Sequence, residues 1–170
     1  MRKTLFSAGL LMFLLPAYAL FAQEAGCVKC HDKLLKGKVI HDAANSRVGC
    51  RTCHSGIIAR YVPHKKSNTR EKGLMATQPD LCYSCHDKSM FRKKAVHAAL
   101  AMGCTSCHNP HSTDIDKLLV SAQPEICYTC HDKAMFSKKD VHAALAMGCT
   151  SCHNPHSTDT AKLLTSGQPY

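Results

Sequence analysis

Tryptophan is absent from the 170-residue chain, and Phe and Tyr contribute only five residues each. That is too little aromatic surface for a base-stacking platform. Large aliphatic side chains are also sparse once the first two dozen residues are set aside, because the 45% hydrophobic share includes twelve Cys. What remains cannot fill the interior of an ordinary domain of this length. This argues against an ordinary cytosolic enzyme fold. Disulfides, metals or large covalent cofactors are the candidates for the missing interior. Acidic residues are in short supply as well, at 12 against 22 Lys and Arg, a formal charge of +10. Removing Arg2 and Lys3, which belong to a leader, takes this to +8. The lysines are scattered rather than clustered, so no nucleic-acid partner is expected.

Residues 1–22 form that leader. A basic start is followed by an apolar stretch from Leu5 to Leu15, then Pro16 and the small-residue site Ala17-Tyr18-Ala19. This is the pattern of a secretory signal peptide. The competing reading is an uncleaved anchor, although its apolar span of about 18 residues is at the lower limit for crossing a bilayer. The expected location is the periplasm, with the outer surface or a membrane-anchored position as alternatives. Free thiols oxidise in such compartments, so twelve cysteines there must be bound to something.

An internal repeat organises the rest. Residues 78–122 and 123–167 align without a gap and differ at 10 positions, and Val96–Asp114 recurs unchanged as Val141–Asp159. Residues 27–77 are a diverged, longer copy whose extra length lies mostly between His54 and His64. The mature chain is therefore read as three units, 27–77, 78–122 and 123–167, followed by a tail at 168–170. That tail, Gln168-Pro169-Tyr170, resembles the start of another unit. Lys93–Met102 and Lys138–Met147 are expected to be short helices ended by Gly103 and Gly148. Asn109-Pro110 and Asn154-Pro155 mark turns, and no strand-like alternation persists anywhere. The expected fold class is mostly irregular with short α-helices, a tandem array whose core must come from something other than side chains.

Every cysteine belongs to one pattern, C-x-x-C-H: Cys27, Cys30 and His31; Cys50, Cys53 and His54; Cys82, Cys85 and His86; Cys104, Cys107 and His108; Cys127, Cys130 and His131; Cys149, Cys152 and His153. This is the attachment signal of c-type haem. The two thiols can form thioethers to the two vinyl groups, and the adjacent His supplies the proximal iron ligand. Zinc sites and disulfide scaffolds use paired cysteines too, but neither requires His directly after the second Cys. A thioredoxin-like redox motif lacks its βαβ surroundings. Six covalent c-type haems are expected to form the core of the tandem array, and their propionates give the lysines partners.

Six histidines remain: His41, His64, His97, His111, His142 and His156. In each unit one precedes the second attachment motif and one follows it after a Pro. The match in number implies a distal imidazole at every iron, leaving no open position. Met75, Met90, Met102, Met135 and Met147 are the alternative ligands, though Met102 and Met147 suit packing against porphyrin better, as do Phe91 and Phe136. His111 follows His108 too closely to reach the far face of the same haem. The simplest expectation gives it, and likewise His156, the first haem of its own unit, with His97 and His142 serving the second haem or a neighbour.

Across Cys82–His111 and Cys127–His156 the chain resembles the multihaem c-type cytochromes of the doubled CXXCH class, including periplasmic pentahaem and decahaem electron carriers. The resemblance implies haem attachment at the cysteines, iron ligation by the histidines and electron transport without a catalytic residue. It implies partners among other cytochromes, a quinol-oxidising membrane complex, and a terminal reductase or outer-membrane conduit. Two alternatives stay open: a subunit of a conductive filament or homo-oligomer, and a multihaem oxidoreductase of the nitrite or hydroxylamine type. Unit one departs from the pattern in the spacing of His64.

Overall fold

The structure is a computed structural model that describes residues 26–45 and 49–167. The leader at 1–22 and the tail at 168–170 lie outside the described residues. Among the described residues helical structure is limited to short pieces: α1 over 26–31, α2 (Asp80–Tyr83), α3 (Glu125–Tyr128) and a series of 3-10 turns. Six two-residue strands complete it: β1 (Val39–Ile40), β2 (Ile57–Ile58), β3 (Lys65–Lys66), β4 (Ala95–Val96), β5 (Ser112–Thr113) and β6 (Ser157–Thr158). No helix among the described residues is long and apolar enough to cross a membrane.

The strands pair antiparallel in three ladders, and two of these join neighbouring units. β1 pairs with β5, Val39 opposite Thr113. β4 pairs with β6 in the same way, Ala95 opposite Thr158. The third ladder, β2 with β3, lies wholly within the first unit. Such strands are too short to leave an alternating signature in the sequence. They also revise the expected helices. Helical geometry is confined to Ala98–Met102 and Ala143–Met147; in unit two Ala95 and Val96 are drawn into the ladder with β6, and tertiary pairing overrides propensity. The glycines do terminate these turns, at φ of 89° for Gly103 and 85° for Gly148, a conformation that a Cβ disfavours.

Serines lock the two inter-unit joints. The Ser112 hydroxyl donates to the Leu34 carbonyl at 2.7 Å and accepts from the Gly37 amide at 3.0 Å. Its counterpart Ser157 donates to the Met90 carbonyl at 2.8 Å and accepts from the Lys93 amide. Ser157 is fully buried.

Apolar burial follows a different rule. Among the described residues Ala44 is the only buried hydrophobic side chain, while Met102, Met135 and Met147 are 60% or more exposed. A chain of this length cannot hold together on so little buried apolar surface. The fold is mostly irregular, with short helices and no large regular core. Such an architecture is compatible with the tandem haem-binding array that the sequence suggests.

Candidate haem-binding sites

One helical turn builds each attachment motif. In five of them the His amide donates to the carbonyl of the first Cys four residues earlier, at 3.0 Å each for His54, His86, His108, His131 and His153. A turn of this pitch puts residues three and four apart on one face, so both thiols and the imidazole share a side. Local sequence fixes where the turn starts. Gly49, Gly103 and Gly148, all at positive φ, precede Cys50, Cys104 and Cys149. Pro79 and Pro124 open the turns that carry Cys82 and Cys127. The preceding Gln braces the second motif of its own unit: Gln78 exchanges hydrogen bonds with the Thr105 amide and hydroxyl, and the Thr150 hydroxyl donates to Gln123.

The thiols of successive motifs approach one another. Burial, then a hydrogen bond with Cys104, pushes the Cys82 thiol up to about 12. Cys127 is pushed up to about 11 by burial and by Cys149 beside it, and Cys53 is raised by burial and by Cys85. Cys107 is also near Cys127, so these neighbours order the second to sixth motifs one after another.

The histidines show a sharper pattern, because five pairs of imidazole centres stand 6.0–6.2 Å apart: His31 with His64, His41 with His86, His54 with His111, His97 with His131, and His108 with His156. Every pair joins a motif histidine to one of the other six. Rings in direct contact would be closer. With a metal–nitrogen bond of about 2 Å on each side, plus the distance from nitrogen to ring centre, two imidazoles on one metal ion have centres about 6 Å apart. The donor set therefore fits a metal ion, and each pair would hold one between its two imidazoles. Among the described residues no three His, Cys, Asp or Glu side chains converge as a self-contained metal site.

Two of these assignments differ from the sequence expectation. His111 and His156 face His54 and His108 of the preceding unit, not the first motif of their own. The reason lies in the turns: Asn109 and Asn154 side chains accept from the His111 and His156 amides at 2.9 Å, and the chain then runs into β5 or β6 against the previous unit. Backbone bonds from His41 to His111 (2.8 Å) and from His97 to His156 (2.9 Å) fasten the crossing. Each joint is thus a reciprocal exchange of one histidine in each direction. Unit one closes its outer end differently. Its extra residues form the β2–β3 hairpin, Lys65 and Arg60 lie against the Tyr61 ring, and His64 is turned onto His31. Among the described residues, His142 and His153 face no imidazole.

Second contacts orient the rings. The Nδ1–H groups of His54, His108 and His153 donate to the carbonyls of Lys72, Lys117 and Lys162 at 2.8–2.9 Å. His97 and His64 donate likewise to Pro155 and Tyr61. With Nδ1 committed, Nε2 is the free lone pair, the usual arrangement of a metal-bound histidine. The three lysines hold left-handed backbone, φ 50°, 58° and 56°, followed by Gly73, Leu118 and Leu163 at φ 61°, 59° and 59°. Non-glycine residues rarely adopt this conformation, and here it aims a carbonyl at a motif histidine. Sequence reading missed this corner; Gly73 in the first copy was its one signal.

Burial lowers the pKa of His41, His111 and His156, with nearby histidines adding to the effect, which favours the neutral imidazole that binds metal. Phe91 packs against Tyr83 and edge-on against His156, and Phe136 against Tyr128.

The model of the doubled CXXCH motif family matches residues 41–91, 97–136 and 142–169, more than half of the chain, and the chain belongs to that family. It is a multihaem c-type cytochrome whose paired cysteines hold haem covalently, an electron-transport protein. No curated protein matches it. The first two matches each contain two attachment motifs and one facing pair, His41 with His86 and His97 with His131. The third contains His142 and a single motif.

Proposed function

We propose that the chain is a hexahaem cytochrome that passes single electrons along a line of haems in the periplasm. Residues 1–22 serve as its export signal, and it acts between a quinol-oxidising membrane complex or another cytochrome and a terminal reductase or outer-membrane conduit. Respiration without oxygen is the setting this implies. The observation that carries the reading is the set of five imidazole pairs spaced for one iron each, strung across three units.

In this reading Cys27, Cys30, Cys50, Cys53, Cys82, Cys85, Cys104, Cys107, Cys127, Cys130, Cys149 and Cys152 attach six haems. His31, His54, His86, His108, His131 and His153 are the proximal ligands; His64, His111, His41, His156 and His97 are the distal ligands of the first five. Haem supplies the one-electron iron couple. The protein holds imidazole on both sides of those irons, so the same ligand set serves both oxidation states and little has to move. The Lys72, Lys117 and Lys162 carbonyls raise the electron donation of the histidines they orient. The crossed ligands also tie adjacent units together, which keeps neighbouring haems close.

Intact mass with and without haem removal, joined to a potentiometric titration, tests the reading. Six added haems and several overlapping one-electron steps are expected. A product with fewer haems, or one that does not reduce and reoxidise reversibly, would overturn it.

A further inference from the structure

Charge is divided unevenly among the three units, although the lysines are spread along the sequence. Residues 27–77 carry eleven Lys and Arg against three Asp and Glu; residues 78–122 carry five against four, and residues 123–167 four against four. Each unit holds two attachment motifs, so propionates offset all three alike and unit one stays the positive one. Much of its excess lies in the segment that the other units lack. Arg60, Lys65, Lys66 and Arg70 fall between His54 and Glu71, whereas the stretch after His108 brings Asp114 and Asp116.

The β2–β3 hairpin braces these cations. Ile57 stands opposite Lys66, the Ser67 amide donates to the Gly56 carbonyl at 2.8 Å, and the Gly56 amide donates to the Gly73 carbonyl at 2.9 Å. The Asn68 side chain donates to the Leu74 carbonyl at 3.0 Å. The Arg60 guanidinium lies 5.0 Å and the Lys65 ammonium 4.4 Å from the centre of the Tyr61 ring, and Lys66 Nζ donates to the Arg70 carbonyl at 3.1 Å. No carboxylate of a described residue pairs with any of the four cations, and Glu71 is taken by Lys72 at 3.3 Å. Val62 beside them is 88% exposed. The same hairpin carries His64, whose Nδ1 donates to the Tyr61 carbonyl at 2.6 Å and whose ring faces that of His31 at 6.0 Å. A cationic rim around a tyrosine and a valine thus stands beside a haem ligand.

We propose that this hairpin is a docking surface for the acidic face of a redox protein, with Arg60, Lys65, Lys66 and Arg70 meeting its carboxylates and Tyr61 and Val62 at the centre of the contact. Complementary charge steers the encounter and fixes its orientation, and an apolar and aromatic centre within a polar rim is the anatomy of a protein contact. Docked there, the partner's cofactor exchanges one electron with the haem attached at Cys27 and Cys30, on its His64 side: that iron is reduced as the cofactor is oxidised, or the reverse. The nearness of His64 favours a redox partner over an anionic lipid surface, which has no use for a haem ligand behind the patch. This rests on the haem reading above and assigns one of its partners a chemistry and a place.

The test uses the full-length holoprotein, its haem content fixed by intact mass, with reduced flavodoxin, a small acidic flavoprotein, as the electron-donating probe. At low ionic strength Lys65→Glu combined with Lys66→Glu should lower the second-order rate of haem reduction by at least about tenfold. Lys138→Glu combined with Lys139→Glu, the same change in net charge on exposed side chains of unit three, should lower it by no more than about threefold. The difference should vanish near about 1 M salt, where charges are screened within about 3 Å. Lys65→Gln with Lys66→Gln should show the same order in milder form, and it keeps the test open if charge reversal disturbs the hairpin. Carbodiimide coupling should join flavodoxin carboxylates to Lys65 or Lys66, located by peptide mass spectrometry. Equal rate losses in the two glutamate variants, or coupling spread over the lysines of units two and three, would overturn the proposal. So would binding to phosphatidylglycerol vesicles that the Lys65→Glu, Lys66→Glu protein loses while its flavodoxin rate is kept, since the surface would then meet lipid. If six haems titrate reversibly and the hairpin charges do not matter, only this inference fails; if haem is missing, the proposed function fails with it.

Discussion

The imidazole of His156 stands 6.0 Å from that of His108, 48 positions earlier and in a different unit. The rings belong together although neither lies in the other's repeat, and the joint between units depends on such crossings. His156→Ala is therefore expected to alter the haem of unit two while leaving the haems of its own unit intact. About one sixth of the iron should move from low-spin to high-spin on top of the wild-type level. Thermal stability should fall as well, because the joint loses a ligand bond. Magnetic resonance of the oxidised protein reads the first effect. No increase in the high-spin signal would show that the pairing is wrong.

The sequence made the chemistry legible and left the connectivity obscure. Six repeated C-x-x-C-H motifs pointed to covalent haem, because no other chemistry needs His directly after the second Cys, and six further histidines matched them in number. The distal assignments were harder. From spacing alone, His111 could be excluded only from the iron of His108, since three residues cannot round a porphyrin. Its choice of His54 over His86 is decided by two-residue ladders such as Ile40 opposite Ser112, which are too short to register as periodicity. The turns were half legible: Gly103 and Asn109 announced them, but nothing in Lys93–Ala95 said that this stretch leaves the helix to meet Asp159 and Thr158 of the next unit.

Lys117 offers a test of the strained corner. Its side chain is exposed and its φ is 58°, a region costing an L-residue about 1–2 kcal/mol. Asn tolerates that region better, so Lys117→Asn should stabilise the holoprotein by about 0.5–1 kcal/mol with no change in the His108 haem spectrum. Lys117→Pro cannot adopt positive φ, and it should displace the carbonyl that receives the His108 Nδ1–H. Its expected signature is a changed reduction potential and line shape at one haem. Chemical denaturation and haem-resolved magnetic resonance measure the two effects.

Ser157 is the fully buried hinge pin of the joint between units two and three, donating to Met90 and accepting from Lys93. Ser157→Ala would leave the Met90 carbonyl and the Lys93 amide without this partner, at a cost of about 0.5–1.5 kcal/mol for each hydrogen bond lost. The loss should be local, because units in an array touch only their neighbours. Amide exchange should quicken around Ala95, Val96 and Thr158 and stay unchanged at the β2–β3 hairpin. Uniform protection across the chain would show that the hydroxyl contributes little.

Removing haem tests the premise beneath the rest. Ordering a residue costs about 1–2 kcal/mol of backbone entropy, and buried apolar side chains ordinarily offset that cost. Here Ala44 alone among the described residues is a buried hydrophobic, and two-residue ladders cannot substitute for a core. Folding must therefore be coupled to cofactor, as in small metal-dependent domains. A chain in which Ser replaces every motif cysteine is expected to show a far-ultraviolet spectrum without ordered structure, no cooperative thermal transition and unprotected amides. Changing only Cys104 and Cys107 should be milder, loosening the second unit and its joint with the third while the first unit keeps its protection. If the all-Ser chain melted cooperatively, side chains alone would be sufficient to hold the fold, and porphyrin would be its cargo instead of its interior.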